Sequence, residues 1–129
     1  HMTLMLKNDF KKISERVDEL FGETLQQIEQ QEAASSSLPK NFAENKGLRL
    51  MFVMSRVITV DDMVVLGLGR VNQGSAEEAY FRVIEWESAN RFLERCGLGR
   101  KDFHVTVGFK NKDIHNVSKN AHTLVARSQ

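Results

Sequence analysis

The residues best suited to chemistry lie in one short stretch, which runs from Phe103 to His115 and reads FHVTVGFKNKDIH. Apolar residues occupy every second position of its first half, a pattern that predicts a β-strand with one apolar face. His104, Thr106 and Gly108 would project from the other face, where the glycine lets a ligand approach the backbone. A histidine can give or take a proton near neutral pH and a threonine hydroxyl can donate to a phosphate oxygen, so this face is a candidate phosphate site. The predicted core-facing residues are Phe103, Val105, Val107 and Phe109.

Two further ionisable residues follow the strand within one loop length. Opening a cyclic phosphodiester requires a base that activates water, an acid that protonates the leaving oxygen, and nearby positive charge. The imidazoles of His104 and His115 could supply the base and the acid. Asp113 could orient His115, or it could form an Asx-turn. The spacing of these three residues matches no zinc motif, so we expect neither a metal nor another cofactor.

A strand predicted from residue 79 to residue 85 carries further candidates for substrate binding. If it pairs with the His104 strand in register, Tyr80 and Arg82 share the face of His104. Arg82 could then contact phosphate and Tyr80 could stack on a base, whereas a simple surface role for the pair is the alternative. Nearby lysines are expected to be solvated and to add diffuse positive charge. The predicted substrate-binding residues are Tyr80, Arg82, Gly108, Lys110 and Asp113, and the lysines are Lys110, Lys112 and Lys119.

The composition is that of an ordinary globular domain. The 129 residues are 41% hydrophobic and 27% charged, which predicts one α+β domain over 3–129 after a cloning remnant at 1–2. No apolar run approaches the roughly 18 residues of a membrane span. The single cysteine, Cys96, is expected to be a packed thiol and indicates a reducing compartment. We therefore expect an intracellular protein, cytoplasmic or nuclear, that does not enter a membrane.

The net charge of +1 is unevenly distributed along the chain. Residues 1–90 carry 10 Lys and Arg against 14 Asp and Glu, whereas residues 91–129 carry 8 against 3. The excess positive charge therefore lies around the His104 stretch, which favours an anionic partner such as RNA or a phosphorylated nucleotide. An ordinary solvated basic surface is the alternative.

The order of the predicted elements indicates an α+β fold with a mainly antiparallel sheet. An apolar stripe predicts a long N-terminal helix from about 9 to 34, capped by Asn8 or Asp9 and weakened at Gly22. This helix packs across the sheet or offers a docking site to a protein partner. The sheet-containing body would span about 47–126.

Within that body we predict one shorter helix and six strands. The helix would be capped by Glu87 or Ser88 and would end at Gly97. The strand at 63–68 is predicted to be central and buried on both faces. The helix stripe is Ala89, Phe92, Leu93 and Cys96; the strands are 50–54, 57–60, 63–68, 79–85, the His104 strand and 123–126, with hairpin turns at 61–62 and 72–75.

The run from His104 to Phe109, with Asp113-Ile114-His115 after it, resembles the second histidine motif of the two-histidine phosphoesterase superfamily. It is most similar to the Swiss-Army-Knife RNA-repair-like branch, and the resemblance covers about residues 78–124. The resemblance implies two pseudo-symmetric lobes, each of which contributes a His-x-Thr/Ser strand to a shared cleft. It also implies metal-independent hydrolysis of RNA 2′,3′-cyclic ends, with His104, Thr106 and His115 in the catalytic site.

The chain departs from the family pattern because, with His1 set aside as part of the cloning remnant, it contains one His-x-Thr motif instead of two. In the sequence Val57-Ile58-Thr59, Val57 occupies the position of a first-motif histidine. Three explanations stay open: His115 is the second imidazole, the missing motif lies on a part of the natural protein outside this sequence, or catalysis is lost. The predicted function is thus a phosphoesterase-like domain that acts on or binds RNA ends or a 2′,3′-cyclic phosphate. A non-catalytic RNA-binding, nucleotide-binding or protein-interaction module is the alternative.

Overall fold

The fold combines a helical region with one antiparallel sheet. The computed structural model describes residues 3–35, 38–73, 77–110 and 119–127. The helices are α1 (Lys7–Glu15), α2 (Val17–Ser35), α3 (Lys46–Val57) and α4 (Glu87–Arg95), with 3-10 turns at Phe42–Glu44 and Ala121–Thr123. The strands are β1 (Met63–Gln73), β2 (Glu77–Trp86), β3 (Phe103–Lys110) and β4 (Leu124–Arg127).

The four strands form one sheet in the order β3-β2-β1-β4, and every neighbouring pair is antiparallel. The predicted α+β class and the predicted strands at 79–85, 123–126 and the His104 stretch are confirmed. β1 and β2 form the predicted hairpin, although positions 74–76 of its turn lie outside the described residues. Among the described strands β3 lies at the edge, so the His104 motif borders on the rim of the described sheet.

β1 is central, as predicted, but it is not buried on both faces. Val64 and Val65 are 51% and 43% exposed. Its outer partner β4 pairs only with residues 67–69 of β1. The first part of β1 therefore has no strand on that side among the described residues.

The predicted strands at 50–54 and 57–60 are wrong, because helix α3 occupies 46–57. Asn45 caps this helix, and its side-chain oxygen accepts a hydrogen bond from the backbone N–H of Leu48 at 3.0 Å. Leu50 and Val53 are fully buried. The continuous apolar run from Leu50 to Met54 has no period of its own, so it fits a buried strand and a packed helix equally well.

The predicted N-terminal helix is two helices, α1 and α2, which are separated at Arg16. The predicted weakness at Gly22 corresponds to a kink one residue earlier, where Phe21 has φ −132° and ψ 34°. α1 begins after Leu6 without a side-chain cap, so the predicted cap at Asn8 or Asp9 is wrong. Leu25 and Ile28 of α2 are buried in the helical core, which means that this half packs within the domain.

Helix α4 carries the predicted apolar stripe, since all four of its stripe residues are buried. Gly97 ends it with φ +78°, the left-handed conformation that a helix C-terminus favours. The predicted cap is wrong, because Asp62 caps α4 from a distance. Its carboxylate accepts hydrogen bonds from the backbone N–H and the hydroxyl of Ser88, at 2.6 and 2.9 Å. The predicted turn at 61–62 therefore connects α3 to β1 and is not a hairpin turn.

Two apolar clusters form the core. One lies among the helices and includes the first residue of β3, Phe103. The other lies on a face of the sheet and comprises Val71, Ala79, Phe81 and Val83. Across the described residues, none of the helices has the length and apolar character that crossing a membrane requires.

Candidate functional site

The pairing of β3 with β2 decides which side chains meet at the His104 motif. His104 lies opposite Val83 and Thr106 lies opposite Phe81. Since directly opposed residues of an antiparallel pair project to the same side, His104 and Thr106 share the face of Phe81 and Val83. The predicted juxtaposition of the imidazole and the hydroxyl is therefore present.

A bulge interrupts β3 immediately after Thr106. The next partner pair is Tyr80 with Gly108, so Val107 is an extra residue that has no partner on β2. Val107 is 53% exposed, and its predicted core position is wrong. Gly108 consequently leaves the face of His104 and Thr106 and joins the face of Tyr80.

Tyr80 and Arg82 also lie on that second face. Arg82 is paired with Val105, and the next pair on the same face is Ile84 with Phe103. The expectation that Tyr80 and Arg82 share the face of His104 is therefore wrong, because alternation puts them on the side opposite to Phe81 and Val83. The predicted site residues divide into two groups on the two faces of the sheet.

The immediate neighbour of His104 is the ring of Phe81. The two ring centres are 6.1 Å apart and the rings meet edge to face at 73°. Phe81 is fully buried and His104 is half-buried. Edge-to-face contact with a fully buried ring favours this orientation of the imidazole.

The second polar group at Phe81 is the ammonium of Lys119, which lies 5.8 Å from the ring centre in a cation–π arrangement. Lys119 is only 4% exposed, so the expectation of a solvated lysine is wrong. Nothing in the polar sequence around it distinguishes Lys119 from a surface lysine. His104, Thr106 and Lys119 are thus brought to one buried aromatic ring.

Gly69 of β1 makes the position of Phe81 possible. A Cβ atom at Gly69 would lie 2.3 Å from Cε2 and 2.7 Å from Cζ of Phe81. Such distances are far inside van der Waals contact. The absence of a side chain at this point lets the ring of Phe81 occupy the sheet face below His104.

Several predicted site residues lie outside the part of the chain that the structure describes. Asp113 and His115 are among them, as is Lys112. Lys110 closes β3 and pairs with Glu78, but its side chain is outside the described part. Their roles stay predictions.

A pocket of about 360 Å³ lies beside the start of β3. Its lining includes Lys101, Asp102 and Asn120, and burial lowers the pKa of the Lys101 ammonium. The Asn90 side chain accepts a hydrogen bond from the backbone N–H of Lys101 at 2.7 Å. Since carboxylates and cations both line it, this pocket has no clear preference for an anion, and His104 is not among the described residues that line it.

In the described ranges, no group of three or more His, Cys, Asp or Glu side chains is arranged to hold a metal ion. The groups available for chemistry around Phe81 are the imidazole of His104, the hydroxyl of Thr106 and the ammonium of Lys119. Such a set can bind a phosphate and move one proton.

A family model described as "Swiss Army Knife, 2H phosphoesterase domain" matches residues 1–115. The chain belongs to this family. The match confirms the predicted family. It includes the helical region and ends at residue 115, whereas the resemblance was expected over about residues 78–124. The chain is accordingly a phosphoesterase-like domain. No curated protein and no solved structure matches the chain significantly.

Proposed function

We propose that this 2H phosphoesterase domain binds a 2′,3′-cyclic phosphate at an RNA end through His104 and Thr106, and hydrolyses it with His115 as the second imidazole. The observation that carries the proposal is the position of His104 and Thr106 side by side on one face of β3. Residues two apart on a strand are close enough for both side chains to reach one phosphate group.

In the proposed reaction, one imidazole takes a proton from water while the water oxygen attacks phosphorus. The bond from phosphorus to one ribose oxygen breaks as the P–O bond to water forms. The other imidazole gives its proton to the departing ribose oxygen. The products are a phosphate monoester and a free ribose hydroxyl, so the reaction balances with water as its one co-reactant.

Thr106 holds the phosphate in this scheme by donating its hydroxyl to a non-bridging oxygen. Phe81 fixes the plane of the His104 ring, and the buried Lys119 places a positive charge at the same aromatic ring. Charge in a partly buried setting acts on a developing anion more strongly than charge in bulk water.

A second candidate is a module that binds a phosphorylated RNA end without cleaving it. The observation in its favour is that the chain has a single His-x-Thr motif once His1, in the expected cloning remnant, is set aside. His104 and Thr106 would still bind the phosphate there, but no second imidazole would complete proton transfer.

A docking role for the N-terminal helix is less well supported. The apolar residues Leu25 and Ile28, which would be the natural contacts for a partner, are buried within the domain.

Hydrolysis of adenosine 2′,3′-cyclic phosphate by the purified chain tests the proposal. We expect His104→Ala and His115→Ala each to lower kcat by about 10²- to 10⁴-fold. Thr106→Val should mainly raise KM, since it removes a hydrogen bond to the phosphate. His122→Ala is the matched histidine control, because His122 lies outside the family motif.

Three outcomes separate the candidates. Turnover that disappears with His104→Ala and with His115→Ala supports the enzyme. Binding of the cyclic nucleotide without turnover, lost in Thr106→Val, supports the non-catalytic module. If the unaltered chain neither binds nor hydrolyses the cyclic nucleotide, both candidate functions are overturned.

A further inference from the structure

The face of the sheet that lies opposite to His104 carries two arginines and a tyrosine on adjoining strands. Arg70 of β1 is directly opposite Tyr80 of β2, and Arg82 of β2 is opposite Leu68 of β1. Arg70 and Arg82 are therefore diagonal neighbours, and such positions are about 7–8 Å apart across a sheet. Tyr80 adjoins both of them.

These two arginines differ from the others in the described part of the chain. Both are exposed, and neither donates a side-chain hydrogen bond or forms an ion pair with a described residue. All the other arginines with described side chains donate to a carboxylate, an amide or a carbonyl oxygen. Those arginines are Arg16, Arg49, Arg56, Arg91, Arg95 and Arg100.

Glu78 lies two residues before Tyr80 on β2, and its carboxylate accepts a hydrogen bond from the Tyr80 hydroxyl at 2.9 Å. Alternation along β2 places Glu78 on the face of Tyr80 and Arg82, so two arginines share this face with a carboxylate that is already hydrogen-bonded to Tyr80. This imbalance favours an anionic ligand with more than one charged group.

The space beside Tyr80 suits a planar group. Its partner across the strand pair is Gly108, and apart from the chain neighbours no described residue has an atom within 4 Å of the position that a Cβ would occupy there. Apolar side chains continue the surface on both sides of Arg82, since Leu68 and Val105 are half-buried. An aromatic ring beside an open glycine, flanked by two cations, can hold a base and its adjoining phosphates.

We propose that this face, defined by Arg70, Tyr80, Arg82 and Gly108, binds single-stranded RNA. Arg70 and Arg82 contact phosphates, and Tyr80 stacks on a base above Gly108. The inference rests on the proposed function, because it assigns this face to the RNA that precedes the reacting end. β3 lies at the edge of the described sheet, so an RNA strand that passes this edge would connect the face with His104. A duplex is a poorer ligand, because its base faces are stacked and closed to Tyr80.

Binding of a fluorescent 12-nucleotide RNA with a plain 3′-hydroxyl end, measured by anisotropy, tests the inference. We expect Arg70→Gln with Arg82→Gln to weaken binding by 10-fold or more, and to reduce the slope of log K against log salt by about 1.4, the value for two lost phosphate contacts on a single strand. Arg16→Gln with Arg91→Gln removes the same charge from exposed positions in the helical region and is the matched control, with an expected change below about 2-fold.

Tyr80 distinguishes base stacking from general attraction of anions. Tyr80→Leu should weaken RNA binding about 5-fold or more. Tyr80→Phe keeps the ring, so its affinity for the RNA should stay within about 2-fold of that of the unaltered protein. Thermal unfolding of each variant verifies that the sheet is intact.

The inference is overturned if the Arg70/Arg82 variant binds like the Arg16/Arg91 control, or if Tyr80→Leu binds like Tyr80→Phe. Displacement of the RNA by poly-glutamate at equal charge concentration would also overturn it and would assign the face to an acidic protein. Since this RNA lacks a cyclic phosphate, the result is independent of the hydrolysis assay that tests His104.

Discussion

The imidazole of His104 meets the ring of Phe81 edge to face, with ring centres 6.1 Å apart. Phe81 is fully buried, and Gly69 of the adjoining strand leaves the room that its ring requires. The ammonium of Lys119 lies over the same ring at 5.8 Å. The orientation of the proposed catalytic histidine thus depends on a core residue that has no chemistry of its own.

Phe81→Leu tests this dependence. The smaller side chain withdraws the edge contact, so we expect kcat for a cyclic nucleotide to fall by about 10-fold with little change in KM, because a misplaced imidazole transfers protons poorly. Phe92→Leu is the matched control, since Phe92 is also buried but lies in the helical core. Both variants should lose about 1–3 kcal/mol of stability. An equal loss of kcat in the two variants would contradict the positioning role of Phe81.

Gly69→Ala should destabilise the sheet. The added Cβ would lie 2.3 Å from a ring atom of Phe81, and relief requires movement of a fully buried side chain. We expect a loss of about 1–3 kcal/mol in urea unfolding followed by circular dichroism. Gly22→Ala is the control: it has no neighbour within 4 Å and lies in helix α2, so it should be neutral or stabilising by up to about 1 kcal/mol. Similar midpoints for wild type and Gly69→Ala would show that the ring of Phe81 is free to move.

Asp62→Ala should destabilise helix α4, although Asp62 is far from that helix in sequence. The carboxylate accepts from the backbone N–H and the hydroxyl of Ser88, and it places negative charge at the helix N-terminus. The expected loss is about 1–2 kcal/mol in the same unfolding assay. Asp61→Ala is the neighbouring control, because the side chain of Asp61 makes no hydrogen bond within the described residues. A capping role for Asp62 is refuted if the two substitutions lower the free energy of unfolding by the same amount.

The sequence predicted those elements whose apolar periodicity is clear. The stripe of α4 has spacings of three and four and is followed by Gly97, so its face and its end were both predictable. β3 was predictable from strict alternation, and with it the common face of His104 and Thr106. Helix α3 was not predictable from the sequence, because its five consecutive apolar residues carry no period. Its cap, Asn45, is one of several polar residues in the preceding loop and does not stand out.

The division of the site between two faces could not be predicted from β3 alone. Alternation runs unbroken through Val107 and Gly108 in the sequence, and the bulge appears only when β3 pairs with β2. The same pairing sets Tyr80 and Arg82 apart from His104. Regional charge was also a poor guide, since Arg70 and Arg82 lie in the acidic part of the chain, yet neither is neutralised by a described carboxylate.

The thiol of Cys96 provides a prediction about pH. Burial raises its pKa to about 11 from the ordinary value of 9.0, against the opposing effect of the arginines Arg16 and Arg95. At pH 8 the folded protein should therefore react slowly with a thiol reagent such as Ellman's reagent. Unfolding in urea exposes the thiol, so the reaction should then become fast.

The sign of the pH effect on stability follows from the same shift. Between pH 9 and about 11 the unfolded chain loses the thiol proton while the folded chain retains it, so the unfolded state binds fewer protons and stability falls as pH rises. Below pH 9 both states hold the proton and this contribution is constant. Cys96→Ala should abolish this component of the decline, which urea unfolding of the two proteins from pH 8 to pH 11 would measure. Parallel curves for wild type and Cys96→Ala, or rapid reaction of the folded thiol at pH 8, would mean that Cys96 is not held protonated by burial.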